Sequence, residues 1–165
     1  GEHKSLLVKL LDYERCVMTP NLMEMRRLDE ALGSKDTKGE RSLGVHGNII
    51  VQKGNVDIIT QGSHAMKCKE EGGLKRSGGI GDVLAGTLSA FMAWNAILDK
   101  DKPHVDGGDA HIETQQRLFA SWTSCCAVKI ATKVAYQKKK RAMSALDLIG
   151  EIGEVICKLE TPNFR

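Results

Sequence analysis

The sequence lacks the features that would place the protein in a membrane or on nucleic acid. Among its 165 residues we find no apolar run approaching the roughly 20 residues that a membrane-spanning helix needs. No charged, apolar and small-residue succession has the form of a secretory signal. The net charge is only +3, far short of the concentrated positive field that binding to a phosphate backbone requires. We therefore expect no membrane partner and no nucleic-acid partner.

The sequence also lacks a recognisable metal-binding or disulfide pattern. Its five cysteines are odd in number and show no CxxC spacing, and its five histidines include no i, i+4 pair, so we assign no metal ligand. Cys125 and Cys126 fall inside an apolar helical pattern, which indicates buried and inert thiols. Unpaired cysteines fit a reducing compartment best, and we expect a cytoplasmic protein, with the mitochondrion as the alternative.

Strands and helices alternate along the chain, which favours a layered α/β architecture in a single domain over residues 1–165. Thr19 is the expected cap of the helix that follows the first strand, and Pro20 is its expected first residue. The expected strands cover residues 16–18, 48–52, 57–60 and 64–68, the last three pairing locally, and the expected helices cover residues 5–11, 19–33, 114–136, a segment from 82 onward and a segment from 144 onward. The helix at 114–136 is apolar on nearly every side, so we expect it to be buried. Loops are expected at 34–44 and 99–108.

The strongest chemical signal is a glycine cluster at residues 72–81 that leads directly into a helix at Asp82. Closely spaced glycines let backbone N–H groups converge on an anion, and the helix N-terminus adds positive potential. The cluster is not a Walker loop, and it is not the dinucleotide fingerprint, because Gly86 comes one residue too late. Two interpretations remain open: an anion hole for a phosphoryl group, or a tight turn with Asp82 as an ordinary helix cap.

Four segments, in order along the chain, resemble the NAD(P)H-hydrate dehydratase branch of the ribokinase-like superfamily. They are the TPN run at residues 19–21 with Glu24 and Leu28 beyond it, the KGNVD run at 53–57, the KRSGGIGDVLAG run at 75–86, and Arg141 followed by Asp147. The third segment is similar to the GGxGDxLxG signature of the superfamily. The resemblance covers essentially the whole chain. It implies a ribokinase-like layered α/β/α domain that lacks its N-terminal half.

The resemblance also implies a reaction and the residues that serve it. The reaction is the ATP-dependent dehydration of hydrated NADH or NADPH, the S epimer, by phosphorylation of the ring hydroxyl and loss of phosphate, with ATP and Mg²⁺ as cofactors. Asp82 is the implied catalytic base. The implied substrate-binding residues are Asp82 together with Asn21, Leu22, Met23, Glu24, Met25, Arg26 and Arg27. The implied ATP-binding residues are Lys53, Gly54, Asn55, Val56, Asp57, Gly72, Gly73, Leu74, Lys75, Arg76, Ser77, Gly78, Gly79, Ile80 and Gly81.

Several of these residues have ordinary structural alternatives. Without the family pattern, Lys53 is interpreted as a solvated lysine at a strand end. Lys75 and Arg76 then become surface residues, and Asn21 and Glu24 become first-turn residues of a helix, where a carboxylate is favourable anyway.

Three departures from the family pattern bear on activity. Ile80 stands where the family usually has Gln, Lys75 replaces the first of two arginines, and the family's preceding half is not in this chain. We therefore expect small-molecule nucleotides as partners, together with a missing N-terminal half or a homo-oligomer. The alternative functions are another ribokinase-like kinase, acting on a vitamin-precursor alcohol, and a non-catalytic nucleotide-binding or assembly module.

Overall fold

The computed structural model describes Lys9, Tyr13 and residues 16–32, 47–100 and 110–160. In this part of the chain the strands are β1 (Val17–Met18), β2 (Ile49–Gln52), β3 (Asp57–Gln61) and β4 (His64–Cys68), and the helices are α1 (Leu22–Leu32), α2 (Ile80–Lys100), α3 (Ala110–Lys139) and α4 (Ala145–Glu160). A short 3₁₀ turn, Lys140–Ala142, joins α3 to α4. The helix expected at residues 5–11, apart from Lys9, and the loops expected at 34–44 and beyond Lys100 lie outside the described residues.

The four strands form one mixed sheet in the order β1-β2-β3-β4. β1 runs parallel to β2, whereas β2, β3 and β4 are antiparallel neighbours. Gln61 pairs with His64 across a two-residue turn whose first residue, Gly62, has φ of 58°. Glycine adopts this left-handed conformation without the steric cost of a Cβ. The expected local pairing of the last three strands is therefore confirmed.

Helices cover both faces of the sheet. Successive side chains of β2 point to opposite sides, and each side is buried against different helices. Ile49 and Val51 belong to the main apolar core, which side chains of α2, α3 and α4 complete. Ile50, between them, packs instead with Met25 of α1. The expected layered α/β architecture is confirmed, with α1 on one face of the sheet and the other three helices on the opposite face.

The start of α1 differs from the sequence-based expectation. Thr19 and Pro20 precede the helix, which begins at Leu22 and is capped by Asn21. The carbonyl of Pro20 accepts a hydrogen bond from the Lys53 backbone N–H at 2.9 Å, so the parallel ladder between β1 and β2 extends past Pro20. The assignment of Thr19 as the cap was wrong because this pairing keeps the chain extended for two more residues.

Among the described residues, Ile80–Leu98 of α2 is the one helical stretch long and apolar enough to cross a membrane by length and composition. The expectation that no such run exists is therefore wrong, although a core helix of a globular protein passes the same test. Leu84 and Leu88 are buried in the core, whereas Trp94 is half exposed. α2 thus offers one face to the core and leaves an apolar face uncovered.

The central part of α3 is buried as expected, but not on every side. Cys125 and Cys126 are buried, which confirms their expected location, whereas Phe119 is exposed. The Cys126 sulfur lies 3.5 Å from that of Cys68 on β4. Burial raises the pKa of the Cys125 thiol, and this disfavours the thiolate, which is the reactive form.

Candidate functional site

The candidate site lies at the edge of the sheet where the parallel strands β1 and β2 end. Asn21 and Lys53 extend the parallel pairing by one bridge past the two strands. The site is therefore built at the carboxyl ends of parallel strands, which is where open α/β sheets form their ligand crevices. Asn21 from the TPN run and Lys53 from the KGNVD run, 32 positions apart in the sequence, are neighbours here because of this pairing.

The N-terminus of α1 forms the first wall of the site. The Asn21 side-chain oxygen accepts hydrogen bonds from the backbone N–H groups of Met23 and Glu24, each at 2.9 Å. In return, the Asn21 N–H donates to the Glu24 carboxylate at 2.6 Å. This reciprocal arrangement is a capping box. It also holds Glu24 so that its carboxylate lies 3.8 Å from the Lys53 ammonium.

The N-terminus of α2 forms the second wall. Gly79 has φ of 87° and precedes the first helical residue, and its carbonyl accepts the hydrogen bond from the Val83 N–H at 3.0 Å. The Ile80 N–H donates to the Ser77 carbonyl oxygen at 3.5 Å. The N–H groups of Gly81 and Asp82 have no acceptor within the helix, and Gly79, unlike Asn21 of α1, has no side chain with which to cap them. The first turn of α2 therefore presents N–H groups and a positive helix end, and Asp82 within it is exposed.

Lys53 joins the two walls. A Cβ placed on Gly81 would stand 3.7 Å from the Lys53 Nζ atom, so the ammonium lies directly beside the first turn of α2. The Lys53 side chain is 29% exposed, which leaves it accessible to a ligand. An ammonium, helix N–H groups and an exposed carboxylate thus meet in one small region, and the first two are the groups that bind phosphate oxygens.

The turn at residues 53–57 is held by its last residue. The Asp57 carboxylate accepts a hydrogen bond from the Gly54 N–H at 2.8 Å and is 94% buried, since only 6% of its side chain is exposed. Burial raises the pKa of Asp57, and the Gly54 N–H and the nearby Lys129 ammonium partly offset this by favouring the charged form. Asp57 therefore shapes the backbone of the turn, while the exposed Asn55 and Val56 lie at its tip.

The first part of the glycine cluster packs against α3. A Cβ on Gly73 would stand 2.5 Å from the Thr132 carbonyl oxygen, so only glycine fits there. The Lys75 ammonium donates to the carbonyl oxygens of Arg141 and Met143, at 2.6 and 2.7 Å. Lys75 thus binds the backbone of the connection between α3 and α4, whereas Arg76 is exposed. The ATP-binding roles inferred for these residues stay predictions.

The residues inferred to bind substrate occupy different environments along α1. Met25 is buried against Ile50 of the sheet, so its side chain belongs to the core, whereas Leu22, Met23 and Arg26 are exposed. A cavity of about 450 Å³ opens beside the first turns of α1, and it is lined by Met18, Thr19, Pro20, Glu24, Arg27 and Leu28. Two of the inferred substrate residues, Glu24 and Arg27, thus line a space adjoining Lys53.

The start of α4 borders the second part of the glycine cluster. A Cβ on Gly79 would stand 3.0 Å from the Ala145 Cβ. The Asp147 carboxylate accepts hydrogen bonds from both the N–H and the hydroxyl of Ser144, each at 2.8 Å, and these bonds lower the pKa of Asp147. The helix start expected at Ser144 and Asp147 is confirmed, with the Asp147 carboxylate capping the Ser144 N–H as in one half of a capping box.

Sequence reasoning missed Lys129 of α3. Its ammonium donates to the Asn55 carbonyl oxygen at 2.7 Å and lies 3.4 Å from the Asp57 carboxylate. The available signal was a charged residue between Val128 and Ile130 in a helix expected to be buried. A buried charge needs a partner, but the sequence alone does not say which one.

Known proteins resemble this chain over most of its length. Residues 4–153 match a family model described as NAD(P)H-hydrate dehydratase. An ATP-dependent (S)-NAD(P)H-hydrate dehydratase from Mycosarcoma maydis is 33% identical over 153 residues, which are 86% of this chain and 44% of that protein. Proteins of the same name from Dictyostelium discoideum and Mus musculus are 34% and 32% identical, over 85% and 90% of this chain. The chain spans about half the length of the curated relatives it matches, 47% and 43% in these two cases.

A solved structure supports the fold. A hypothetical protein from Streptococcus mutans superposes with a TM-score of 0.61 at 19% identity, over 88% of this chain and 47% of that one. At this level of identity the likeness concerns the architecture alone.

Proposed function

The chain belongs to the NAD(P)H-hydrate dehydratase family, and we propose that it carries the nucleotide site and the catalytic carboxylate of an ATP-dependent (S)-NAD(P)H-hydrate dehydratase. One observation carries the proposal: the Lys53 ammonium lies beside the first turn of α2, 3.7 Å from the Cβ position of Gly81. This arrangement suits the phosphates of ATP, because an ammonium and helix N–H groups then act on the same oxygens.

Asp82 is the proposed general base. It follows Gly81 in the first turn of α2 and is exposed toward solvent, so it can reach a substrate hydroxyl next to the bound phosphates. The hydroxyl of the hydrated ring loses its proton to Asp82 as its oxygen attacks the γ-phosphorus and ADP leaves. The new phosphate ester then loses phosphate as the C–O bond breaks. The neighbouring ring carbon gives up a proton to solvent, and the C–H electron pair re-forms the ring double bond of NADH or NADPH. Positioning and charge stabilisation are the main requirements of such a transfer.

The cavity beside α1 is the proposed location of the hydrated nicotinamide ring. Glu24 and Arg27 line it together with apolar side chains, and it adjoins the Lys53 ammonium through Glu24. This proximity would bring the ring hydroxyl toward the phosphate site. Leu22, Met23 and Arg26 of the same helix are exposed and are proposed to contact the rest of the dinucleotide.

Mg²⁺ is proposed to enter with ATP. Among the described residues there is no cluster of three or more His, Cys, Asp or Glu side chains that could cage a metal ion. This fits Mg²⁺, which is commonly held by one or two carboxylates together with substrate phosphates. Glu24 and Asp82 are the exposed carboxylates of the site, and because Asp82 is the proposed base, Glu24 is the one that could hold the ion. When bound, the ion would supply charge neutralisation of the phosphate oxygens.

We further propose that the acting protein includes structure beyond this chain, either in the same polypeptide or in a partner chain, and that it works in the cytoplasm. The chain spans 44% of the Mycosarcoma maydis relative, and α2 leaves Trp94, Ile97 and Leu98 exposed. An uncovered apolar face of this kind is typical of an interface.

The test is recovery of NADPH absorbance from its hydrate with ATP and Mg²⁺, in the polypeptide as its source produces it. Asp82→Asn should lower the rate by about a hundredfold or more, as expected for loss of a general base, while ATP binding remains. The matched control is Glu113→Gln, which alters a carboxylate in the first turn of α3 outside the site and should leave the rate unchanged.

The other outcomes discriminate between the hypotheses. Full activity of the Asp82→Asn variant would refute the role of Asp82. Binding of ATP without recovery of NADPH in the parent protein would favour a non-catalytic module, and absence of ATP binding would refute the nucleotide site itself.

A further inference from the structure

We infer that Lys129 is a positioning residue for nucleotide binding: it clamps the turn at residues 53–57 to α3 and thereby sets the place of Lys53 beside α2. The inference rests on the proposed function and extends it to a residue outside all four segments that carry the family resemblance. Lys129 lies in the buried middle of α3, 72 positions after Asp57 in the sequence.

Lys129 reaches two points of the turn with one ammonium. It donates to the Asn55 carbonyl oxygen at 2.7 Å, and it lies 3.4 Å from one oxygen of the Asp57 carboxylate. The other oxygen of Asp57 accepts the Gly54 N–H at 2.8 Å. Lys129 therefore holds the Asn55 carbonyl and the Asp57 carboxylate directly, and the Gly54 N–H through Asp57.

The ion pair of the clamp, between Lys129 and Asp57, is largely shielded from water, so each charge depends on the other. Only 13% of the Lys129 side chain and 6% of the Asp57 side chain are exposed. A buried carboxylate without its cation carries an uncompensated desolvation cost. Loss of Lys129 would therefore release the turn, because Asp57 would have to move toward water or take up a proton.

The consequence for the site follows from the position of Lys53 at the start of the turn. The Lys53 backbone is held on one side by Pro20 of the parallel ladder and on the other by the clamped turn. The side chain then brings its Nζ atom to 3.7 Å from the Cβ position of Gly81. A displaced turn would move this ammonium away from the N–H groups of α2, whereas Lys129 is not among the residues that line the cavity beside α1.

The experiment compares Lys129→Met and Lys129→Arg with the parent polypeptide as its source produces it. Misplacement of a binding group by about an ångström is costly, so Lys129→Met should raise the Kd for ATP and the KM for ATP by about tenfold or more. The KM for the hydrate should change far less than the KM for ATP, because the exposed pair of Lys53 and Glu24 is weak. Lys129→Arg, which keeps the charge, should restore most of the affinity. The matched control is Lys133→Met, one turn further along α3, which removes only an exposed ion pair with Glu71.

A second readout does not depend on nucleotide. Amide hydrogen exchange of residues 53–57 should speed up in Lys129→Met without ATP present, while exchange in β4 and α2 stays at the parent level. Should Lys129→Met fold poorly, the double variant with Asp57→Asn removes both buried charges. Its loss of ATP affinity should match that of Asp57→Asn alone, because both residues hold the same turn, and a parent-like affinity in the double variant would overturn the inference.

The failures of the two proposals are distinguishable. A parent protein that binds no ATP would overturn the proposed function and this inference with it. A parent that binds ATP, combined with an unchanged Kd in Lys129→Met, would overturn the inference alone. Equal increases in the KM values for ATP and for the hydrate would also overturn it, because a merely structural residue would affect both.

Discussion

Two adjacent glycines of the cluster should respond in opposite ways to the same substitution. Gly79 has φ of 87°, and a Cβ there would stand 3.0 Å from the Ala145 Cβ of α4. A Cβ on Gly78 would meet nothing within 4 Å, and its φ is not in the positive range. We predict that Gly79→Ala destabilises the protein and that Gly78→Ala does not.

The magnitude follows from two terms at Gly79. The left-handed conformation costs an L-residue about 1–2 kcal/mol. The contact with Ala145 adds to this, because α4 must shift by a few tenths of an ångström to relieve it. A destabilisation of about 2 kcal/mol corresponds to a Tm lower by about 4–8 °C for a protein of this size. Gly78→Ala should instead leave Tm unchanged or raise it slightly, because alanine restricts the unfolded chain.

Thermal unfolding followed by circular dichroism, without nucleotide and at one protein concentration, measures both values of Tm. The two variants add the same methyl group one residue apart, so each is the control of the other. Equal values of Tm, or a larger loss in Gly78→Ala, would refute the conformation assigned to the entry of α2.

Two further predictions concern the same region. Gly81→Ala adds a methyl group 3.7 Å from the Lys53 Nζ atom, which is an ordinary contact, in a helix that prefers alanine to glycine. Tm should therefore stay at the parent value, while the Kd for ATP should rise in a calorimetric titration. An unchanged Kd would mean that the phosphates do not lie between Lys53 and α2. The hydrogen bonds from Ser144 lower the pKa of Asp147 from its ordinary value of 3.8, so the stability they supply is present above that value and is lost as the pH falls through the lower folded-state pKa. As the pH falls below 3.8, the Tm of the parent protein should therefore decrease more than the Tm of Asp147→Asn. Equal decreases in the Tm of the two proteins over this pH range would contradict this.

The turns and helix caps that are formed by residues close together in the sequence were predictable from the sequence. β3 and β4 are joined by a two-residue turn that begins with Gly62, and the cap of α4, from Asp147 to Ser144, lies within four residues. Both follow from local preferences that no distant contact overrides. The family pattern added the segments of the site, and the structure brings two of them, at Asn21 and Lys53, side by side.

The features that sequence reasoning missed depend on distant contacts. α1 begins at Leu22 because Pro20 pairs with Lys53, and no local preference near Thr19 signals that pairing. Lys75 lies in the basic pair before the glycines, yet its ammonium binds carbonyls 66 and 68 positions later in the chain. A long side chain takes whichever partner the fold brings near, so residue type alone left its role open.

The weak ion pair between Lys53 and Glu24 suits Lys53 to exchange Glu24 for another anion. Its ion pair with Glu24 is long, 3.8 Å, and both side chains are partly exposed, at 29% and 51%. Such a pair contributes little, on the order of 0–1 kcal/mol, and the Glu24 carboxylate is already engaged by the Asn21 N–H at 2.6 Å. Under the proposed function, a triphosphate that approaches α2 would take the Lys53 ammonium at small cost, while Glu24 keeps its hydrogen bond at the start of α1. Asp57, which is buried, and Lys129, which is 13% exposed, hold the backbone of the turn at residues 53–57 in place, so the exchange needs only the Lys53 side chain to move.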